Sequence, residues 1–398
     1  MDNLNNHMKL IKAKNLNIAY VGDFVNHGKS LATTGTPILL LLSEFTNIDT
    51  IDIYCPFLNE NPEQIKLPSK IKVIESYKYD DAFSILKLIK LRKLNYDKII
   101  FNLMPTAYGN SNIANMFGLL IPLILNKLFK MKNIVLVYHN STFTNDIRKL
   151  GYNTFYDKIR GLILSQIEKI LFKNIDTYVF LQLYKKRIDE KIGKNKVRYL
   201  NGRYLEAVTS IYFNNLKDND KIIINDDSDI KILLHGSWGP QKNLELALKI
   251  LYNLKIKGFS FKLRISGGIN HHFPSYEAKF KDLLSKYSII IDSYLGYVKE
   301  KDIYSLFVDT DLIILPYNTP GGHSGVLEQA MFYEIPTVAI DFPEYKEQSE
   351  NVDFVTLTSQ ENLEKTVEEI LLKLKRRKEI KIKSKIIETM NNMRELIL

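Results

Sequence analysis

A glycine-rich turn that leads into a helix is the part of this sequence best suited to binding chemistry. The turn is Pro320–Gly322, and Ser324 stands after it where a helix cap belongs, with apolar residues following at helical spacing. The first amides of a helix have no partner inside it, and together they act as about half a positive charge. The pattern therefore predicts that the amides of Ser324, Gly325 and Val326 bind a phosphate group.

Three neighbouring residues extend this predicted site. Gly322 and His323 lie in the turn itself, and Glu328 lies about one helical turn beyond it. A carboxylate at that place can accept hydrogen bonds from two ribose hydroxyls, which would make the ligand a nucleotide. The alternative is an ordinary strand–helix–strand unit that holds no ligand.

The loop between the strand Lys231–His235 and the helix that starts at Leu244 supplies a cation. It contains Gly236 and Ser237, and Lys242 stands shortly before the helix. A lysine ammonium can neutralise a diphosphate as a point charge. A solvated lysine is the simpler explanation for this loop alone, but the loop shares a sheet edge with the glycine-rich turn, which favours contact with the phosphate.

Two further candidates lie in the first half of the chain. His139 ends the apolar strand Ile134–Tyr138, where a histidine either orients a hydroxyl group or serves the structure. Gly35 is expected in a loop whose backbone approaches the ligand, with a helix over Ile38–Phe45 behind it. We therefore predict Lys242 and His139 as the catalytic residues, and we count Gly35 among the residues that bind the ligand.

Two other motifs look like known sites, but their spacing or context argues against them. Five residues separate Gly22 from Gly28, ahead of Lys29 and Ser30, whereas a P-loop needs four, so an ATPase or GTPase is disfavoured. The segment Asp309–Asp311 has the DxD pattern of metal-dependent transferases. It lies between a helix end and a strand start, where aspartate commonly shapes turns, so no metal or other cofactor is expected.

Apolar runs alternate with amphipathic stretches along both halves of the chain. In the first half the predicted strands are Ile18–Val21, Ile51–Tyr54, Ile71–Ile74, Lys98–Leu103, Ile134–Tyr138, Thr177–Leu181 and Val197–Leu200. Strands that alternate with helices form parallel sheets with right-handed crossovers, and ligands bind at the carboxyl ends of their strands. The sequence thus predicts an α/β protein of two Rossmann-like, doubly wound domains that face a cleft.

A polar, acidic segment in the middle of the chain sets the predicted domain boundaries. These are a tail at 1–14, a first Rossmann-like domain at 15–205, a linker at 206–229, a second Rossmann-like domain at 230–375, and a basic helix at 376–398 that packs back on the first domain. In the second half we also predict a strand at Ile289–Ile291. A capping box of Thr358 and Glu361 is expected to start a helix over Glu361–Leu374.

Composition is typical of a globular protein in a reducing compartment. The chain has 398 residues, of which 45% are hydrophobic and 25% charged, enough for two cores. The single cysteine, Cys55, excludes an internal disulfide. No signal-peptide pattern is evident, and the apolar stretch Met116–Leu125 is shorter than the roughly 20 residues that a membrane span requires. A cytoplasmic location is therefore expected.

The net charge of +10 favours acidic partners without naming one. Basic and apolar residues interleave over Phe83–Leu94, and a second basic, apolar patch covers Leu128–Lys132. Such a helix either rests on an anionic membrane surface or packs on the core with its lysines solvated. Nucleic acid is disfavoured because no stripe of aromatic and basic residues occurs.

Five segments resemble, in order, the nucleotide-binding half of GT-B glycosyltransferases of family four, the glycosyl transferases group one. They are Lys231–Asn243, Lys262–Gly268, Leu295–Lys299, Asp311–Tyr317 and Ser324–Tyr345. The resemblance implies transfer of a sugar from a nucleotide-sugar donor to a glycan or lipid-linked acceptor, with retention of anomeric configuration and without a metal.

Carried over position by position, the resemblance implies that Lys242 and the amides near Ser324 and Gly325 contact the donor diphosphate, and that Glu328 holds the ribose. Two positions depart from the family pattern. Pro320 stands where members usually have a glutamate, and Ser237 stands where they often have an arginine. A GT-B-like protein that binds nucleotide sugars without chemistry therefore stays open as the alternative.

Overall fold

The computed structural model describes nine stretches of the chain, residues 15–24, 30–57, 67–109, 111–144, 155–224, 229–270, 273–320, 322–375 and 377–398. These stretches form two α/β domains, each built around a parallel sheet. The fold class predicted from the sequence is thereby confirmed.

The first domain has a seven-stranded sheet in the order β3-β2-β1-β4-β5-β6-β7, and every pairing is parallel. Its strands are β1 Leu16–Val21, β2 Ile48–Pro56, β3 Ile71–Tyr77, β4 Lys98–Leu103, β5 Ile134–Tyr138, β6 Asp176–Val179 and β7 Val197–Tyr199. The interior strand β5, IVLVY, is buried throughout, as expected for a parallel strand covered by helices on both faces.

The helices of the first domain are α1 Ser30–Ser43, α2 Ala82–Ile85, α3 Asn112–Lys127, α4 Phe155–Asn174 and α5 Gln182–Ile192. The helix predicted over Phe83–Leu94 is only partly α-helical, because α2 continues as a 3₁₀ segment, Leu86–Lys93. Leu88 and Leu91 are buried in this segment three residues apart, the repeat that a 3₁₀ helix places on one face.

The second domain has a six-stranded parallel sheet in the order β11-β10-β9-β12-β13-β14. Its strands are β9 Lys231–His235, β10 Lys262–Ser266, β11 Ile291–Tyr294, β12 Leu312–Leu315, β13 Thr337–Ile340 and β14 Val355–Thr358. Its helices are α7 Leu244–Ile256, α8 Tyr276–Lys286, α9 Glu300–Val308, α10 Gly325–Phe332, α11 Pro343–Gln348 and α12 Leu363–Lys373.

Two local predictions in the second domain are wrong. Residues Ser288–Ile290 form a 3₁₀ turn, so the strand lies over 291–294 and not over Ile289–Ile291. The capping box does not form, because Thr358 ends β14 and uses its hydroxyl to bond Thr366 at 2.9 Å, while α12 begins only at Leu363.

The described part of the range predicted as a linker, 206–229, contains a helix and a strand. It contains most of helix α6, Leu205–Phe213, and strand β8, Lys221–Ile223, which pairs antiparallel with β15, Glu379–Lys381. Helix α6 packs between α1 of the first domain and α9 and α10 of the second. Its apolar residues belong to a hydrophobic cluster that contains residues of both domains. The polar composition expected of a linker begins only after this helix.

The chain returns to the first domain near its end. Arg377 donates to three carbonyls at the end of α9, those of Phe307, Val308 and Thr310. Helix α13, Lys383–Met393, then packs against α1, and Tyr178 donates to the Glu395 carbonyl at 3.0 Å.

Candidate functional site

The loops that follow β9 and β12 lie together at the carboxyl edge of the second sheet. The amide of Asn318 donates to the Gln241 carbonyl at 2.9 Å, and Asn243 Nδ2 donates to Asn318 Oδ1 at 2.9 Å. These bonds bring the residues around Lys242 next to the turn that leads into α10. The shared edge predicted from the sequence is present.

Lys242 presents an unusual cation at this edge. Its Nζ lies 3.7 Å from the centre of the Tyr317 ring, and no ion pair or side-chain hydrogen bond joins it to any residue of the described stretches. Burial lowers its pKa to about 7, since the charged form is poorly solvated there. A phosphate beside it would stabilise the charged form again.

Gly236 and Ser237 connect β9 to this lysine. Gly236 has φ +146°, a conformation that side chains disfavour, and a Cβ on it would lie 3.7 Å from Lys242 Nζ. Ser237 is exposed. Because Gly236 has no side chain, a ligand can approach the Lys242 ammonium group from the side of Gly236.

Ser324 caps α10, as predicted. Its Oγ accepts a hydrogen bond from the Leu327 amide at 3.3 Å, and its own amide donates to Gln348 Oε1 at 2.9 Å. Glu206 of α6 lies against the helix start, where a Cβ on Gly325 would be 3.0 Å from Glu206 Cδ. A carboxylate therefore already lies at the positive end of α10, where the helix dipole stabilises negative charge.

Glu328 is buried, and both of its oxygens are engaged within the protein. Oε2 accepts from the Tyr204 amide at 2.6 Å, and Oε1 accepts from Gln348 Nε2 at 3.1 Å and lies 3.2 Å from His323 Nε2. Ribose hydroxyls, which the resemblance implies as ligands of Glu328, would share its oxygens with these protein donors.

His323 and Gly322 face the first domain. Burial alone would lower the pKa of His323, but the hydrogen bond and charge of Glu328, with the charge of Glu206, raise it overall. Gly322 is packed so closely that a Cβ would overlap Asn140 Oδ1. These residues therefore lie where the two domains meet.

His139 stands at the end of β5 on the other side of the same junction. Its Nε2 lies 2.8 Å from Asn102 Oδ1, an acceptor, so Nε2 carries the hydrogen and Nδ1 carries the lone pair. Burial, with the charge of His323, lowers its pKa to about 3, and the ring is neutral at physiological pH. The Phe180 ring lies between the two histidines, 5.1 Å from His139 and 5.6 Å from His323.

The prediction that Gly35 lies in a ligand-binding loop is wrong. Helix α1 begins at Ser30, so Gly35 lies within it, and a Cβ there would overlap Tyr20 Oη and the Asp23 carbonyl. The glycine therefore lets α1 pack closely on the end of β1. Of the P-loop-like motif, Gly28 and Lys29 lie outside the described residues.

The DxD pattern lies at the opposite edge of the sheet. Asp309 and Asp311 precede β12, and Asp309 pairs with Lys231 Nζ at 2.5 Å and with Arg264 Nη1 at 2.6 Å. Asp311 accepts from the Lys231 amide at 2.9 Å. This pair therefore fastens strands together at the amino edge, away from Lys242. No group of His, Cys, Asp or Glu suited to a metal ion occurs among the residues that the structure describes.

Sequence reasoning missed several residues of the site. Tyr317 lies under Lys242, Glu206 lies against α10, and Asn102 orients His139. The sequence signal that could have identified Tyr317 is its position just after the strand sequence DLIILP, at the edge of the sheet where ligands bind.

Glu168 of α4 is another such residue. It is fully buried and accepts hydrogen bonds from Tyr138 Oη at 2.8 Å, from Ser141 Oγ at 3.1 Å and from Thr142, and these bonds fix the loop after His139.

Residues 217–386 match the family model described as glycosyl transferases group 1. This range includes the whole second domain, with Lys242, Tyr317 and α10. The second domain is therefore similar to the group 1 glycosyltransferases. A comparison with curated protein sequences found no match.

Several solved structures resemble this chain over nearly its whole length. Sucrose-phosphate synthase from Thermosynechococcus elongatus has a TM-score of 0.66 at 12% identity, covering 96% of this chain and 94% of that one. HepE from Anabaena in complex with UDP and glucose has 0.60 at 11%, covering 96% and 94%. WaaG, a glycosyltransferase involved in lipopolysaccharide biosynthesis, has 0.58 at 12%, covering 95% and 94%. At these identities the likeness establishes the GT-B fold.

Proposed function

We propose that this protein is a glycosyltransferase that binds the diphosphate of a nucleotide-sugar donor between Lys242 and the start of α10, and transfers the sugar to an acceptor held by the first domain. The observation that carries this is Lys242, a half-buried ammonium group with no carboxylate partner among the described residues. A buried cation without a counter-charge is costly, so the site favours an anion. The solved complexes of HepE with UDP and with UDP-glucose support a nucleotide-sugar donor.

The proposed chemistry is electrostatic. As the bond between the sugar and the diphosphate breaks, negative charge grows on the leaving group, and Lys242 and the helix dipole stabilise it. Neutral His139 presents the Nδ1 lone pair and orients a hydroxyl of the donor sugar or the acceptor. We propose retention of configuration and no requirement for a metal.

The outer face of the first domain fits an anionic membrane surface. Helix α3 packs beside α4 and the 3₁₀ segment Leu86–Lys93. Apolar side chains are exposed in and next to these elements, with Phe83 of α2 85%, Leu128 after α3 71% and Ile113 of α3 63% exposed. Exposed basic residues surround them, namely Lys87, Lys90, Arg92, Lys93, Lys127, Lys130, Lys132, Lys158 and Lys173. None of the helices that the structure describes is long and apolar enough to cross a bilayer. We therefore propose peripheral binding at the cytoplasmic membrane face, with a lipid-linked or envelope glycan as acceptor.

The transfer proposal is tested by donor turnover. The protein is incubated with UDP-, GDP- and ADP-sugars, and release of nucleoside diphosphate is followed with and without magnesium and EDTA. We expect slow release to water with one donor, unchanged by EDTA. A donor that raises the melting temperature but is never cleaved would instead indicate a binding protein, the alternative that Pro320 and the occupied carboxylate of Glu328 favour.

The membrane proposal is tested by sedimentation with vesicles. Each basic residue near an anionic surface contributes about 1 kcal/mol, so reversing Lys87, Lys90 and Lys93 to glutamate should remove binding to phosphatidylglycerol vesicles. The control reverses Lys249, Lys281 and Lys365 of the second domain, which should leave sedimentation unchanged. Equal sedimentation of both variants would refute the proposal.

A further inference from the structure

Tyr317 lies directly under the ammonium group of Lys242. It follows β12, is 2% exposed, and packs edge-to-face against Tyr345 at 6.2 Å. Its ring face is 3.7 Å from Lys242 Nζ, within the range of a cation–π contact. The ring therefore fixes where the charge of Lys242 is presented, although the lysine side chain is flexible.

The hydroxyl of Tyr317 is a second unusual group at the same place. It is buried, and it hydrogen-bonds to no residue of the described stretches. Buried hydroxyls normally have partners, so an unpaired one calls for an explanation. It lies 3.7 Å from the point that a Cβ on Gly236 would occupy, and Lys242 Nζ lies 3.7 Å from that same point. A donor hydroxyl and an ammonium group thus converge beside Gly236.

The surrounding charges leave this convergence cationic. His235 of β9 bonds Ser266 Oγ through Nδ1, and burial, with the charge of Lys242, lowers its pKa to about 4, so it is neutral. Phe307 of α9 packs edge-to-face against the His235 ring. Burial raises the pKa of Tyr317, which keeps its hydroxyl protonated as a hydrogen-bond donor. The Lys242 ammonium and the Tyr317 hydroxyl are both hydrogen-bond donors, so the ligand that suits them is an anion.

We propose that Tyr317 is a donor-recognition residue, whose ring holds the Lys242 ammonium and whose hydroxyl donates a hydrogen bond to the same diphosphate. The inference rests on the proposed function. It adds the neutral hydroxyl of Tyr317 to the charged ammonium group of Lys242 as a second hydrogen-bond donor to the diphosphate. It also explains Gly236, since any side chain there would occupy the place where both groups meet.

The test separates the ring from the hydroxyl. Tyr317→Phe keeps the ring and removes the hydroxyl, while Tyr317→Leu removes both. Binding of UDP, GDP, ADP and inorganic pyrophosphate is measured by calorimetry at pH 6.5 and pH 8.5, with folding checked by near-ultraviolet circular dichroism. Tyr252→Phe on the surface of α7 is the matched control.

We expect Tyr317→Phe to weaken diphosphate binding about tenfold at both pH values, the loss typical of one hydrogen bond to a charged group. Tyr317→Leu should weaken it more at pH 8.5 than at pH 6.5, because without the ring Lys242 loses its proton more readily. Tyr252→Phe should bind as the parent protein does.

The outcomes distinguish this inference from the proposed function. If the parent protein binds and Lys242→Ala does not, while Tyr317→Phe binds equally well at both pH values, the role of Tyr317 is refuted and the proposed function stands. If the parent protein binds none of the four probes, the proposed function fails first. If Tyr317→Leu has the same pH dependence as Tyr317→Phe, the ring does not hold the charge and that half of the proposal is overturned.

Discussion

The carboxylate of Glu328 accepts a hydrogen bond from the Tyr204 amide at 2.6 Å, which ties α10 to the residue that immediately precedes α6. Tyr204 has φ +69°, a left-handed conformation that costs free energy in a non-glycine residue. The hydrogen bond from the Tyr204 amide to Glu328 therefore holds a strained junction between the domains.

Glu328→Gln should lower the free energy of unfolding by about 1–3 kcal/mol, because it removes the charge that pairs with His323. The raised pKa of His323 means that this stabilisation is fully present below its unfolded pKa and is lost as the pH rises through the folded one. Urea unfolding should accordingly show a larger effect at pH 6 than at pH 8.5. Glu369→Gln, at an exposed ion pair, is the control, and an effect independent of pH would contradict the assignment.

Lys242→Ala should reduce the rate at saturating donor by about two decades, since removing one group that stabilises transition-state charge commonly costs about 3 kcal/mol. The rate is measured as nucleoside diphosphate release. Lys249→Ala, an exposed lysine of the same helix region, should retain the parent rate. Turnover of Lys242→Ala at the parent rate would exclude Lys242 from the chemistry.

Donor binding should take up protons near neutral pH. The pKa of Lys242 is about 7 in the ligand-free protein, and a bound diphosphate raises it, so part of the population gains a proton on binding. Affinity should therefore fall as the pH rises above about 7. Calorimetry at pH 8 in two buffers of different ionisation enthalpy measures the uptake, and identical heats in both would contradict the prediction.

Glu168 should make stability depend on pH in the acid range. Burial raises its pKa to about 7 from 4.5, against the hydrogen bonds that it accepts. The folded protein thus holds this proton more tightly than the unfolded chain, and stability falls as the pH rises from about 4.5 to 7, by at most about 3 kcal/mol.

Glu168→Gln should remove that slope, so the stability difference between parent and variant should change between pH 5 and pH 8. Urea unfolding at both values measures it. A constant difference would mean that Glu168 titrates as an ordinary carboxyl group.

Glu347 joins the domains by capping a helix of the other domain. Its carboxylate accepts from the amides of Gln182 at 2.5 Å and Leu183 at 2.8 Å at the start of α5, and Arg187 pairs with Glu344 at 2.7 Å nearby. Glu347→Ala should loosen this contact and increase the radius of gyration measured by X-ray scattering. Glu350→Ala keeps the carbonyl that binds Arg203 and should scatter as the parent does.

Strands and the capped helix α10 were predictable because their signals are local. Apolar runs such as IVLVY mark buried parallel strands, and Ser324 after a glycine turn marks a helix start. The place of Gly35 was not predictable, because a helix that packs on Tyr20 needs a small residue for reasons that appear only in three dimensions. Tyr317 and Lys242 are 75 positions apart, and only the paired loops after β9 and β12 bring them together.

Helix α13 has a consequence for how this protein is made. Ile386 and Met393 of this helix, with Leu396 just after it, belong to the hydrophobic cluster that also contains Leu39 and Leu42 of α1. On the ribosome these closing residues emerge only after the whole second domain. Part of the apolar interior of the amino-terminal half is therefore exposed during most of translation. A chaperone could bind these exposed apolar residues until α13 covers them.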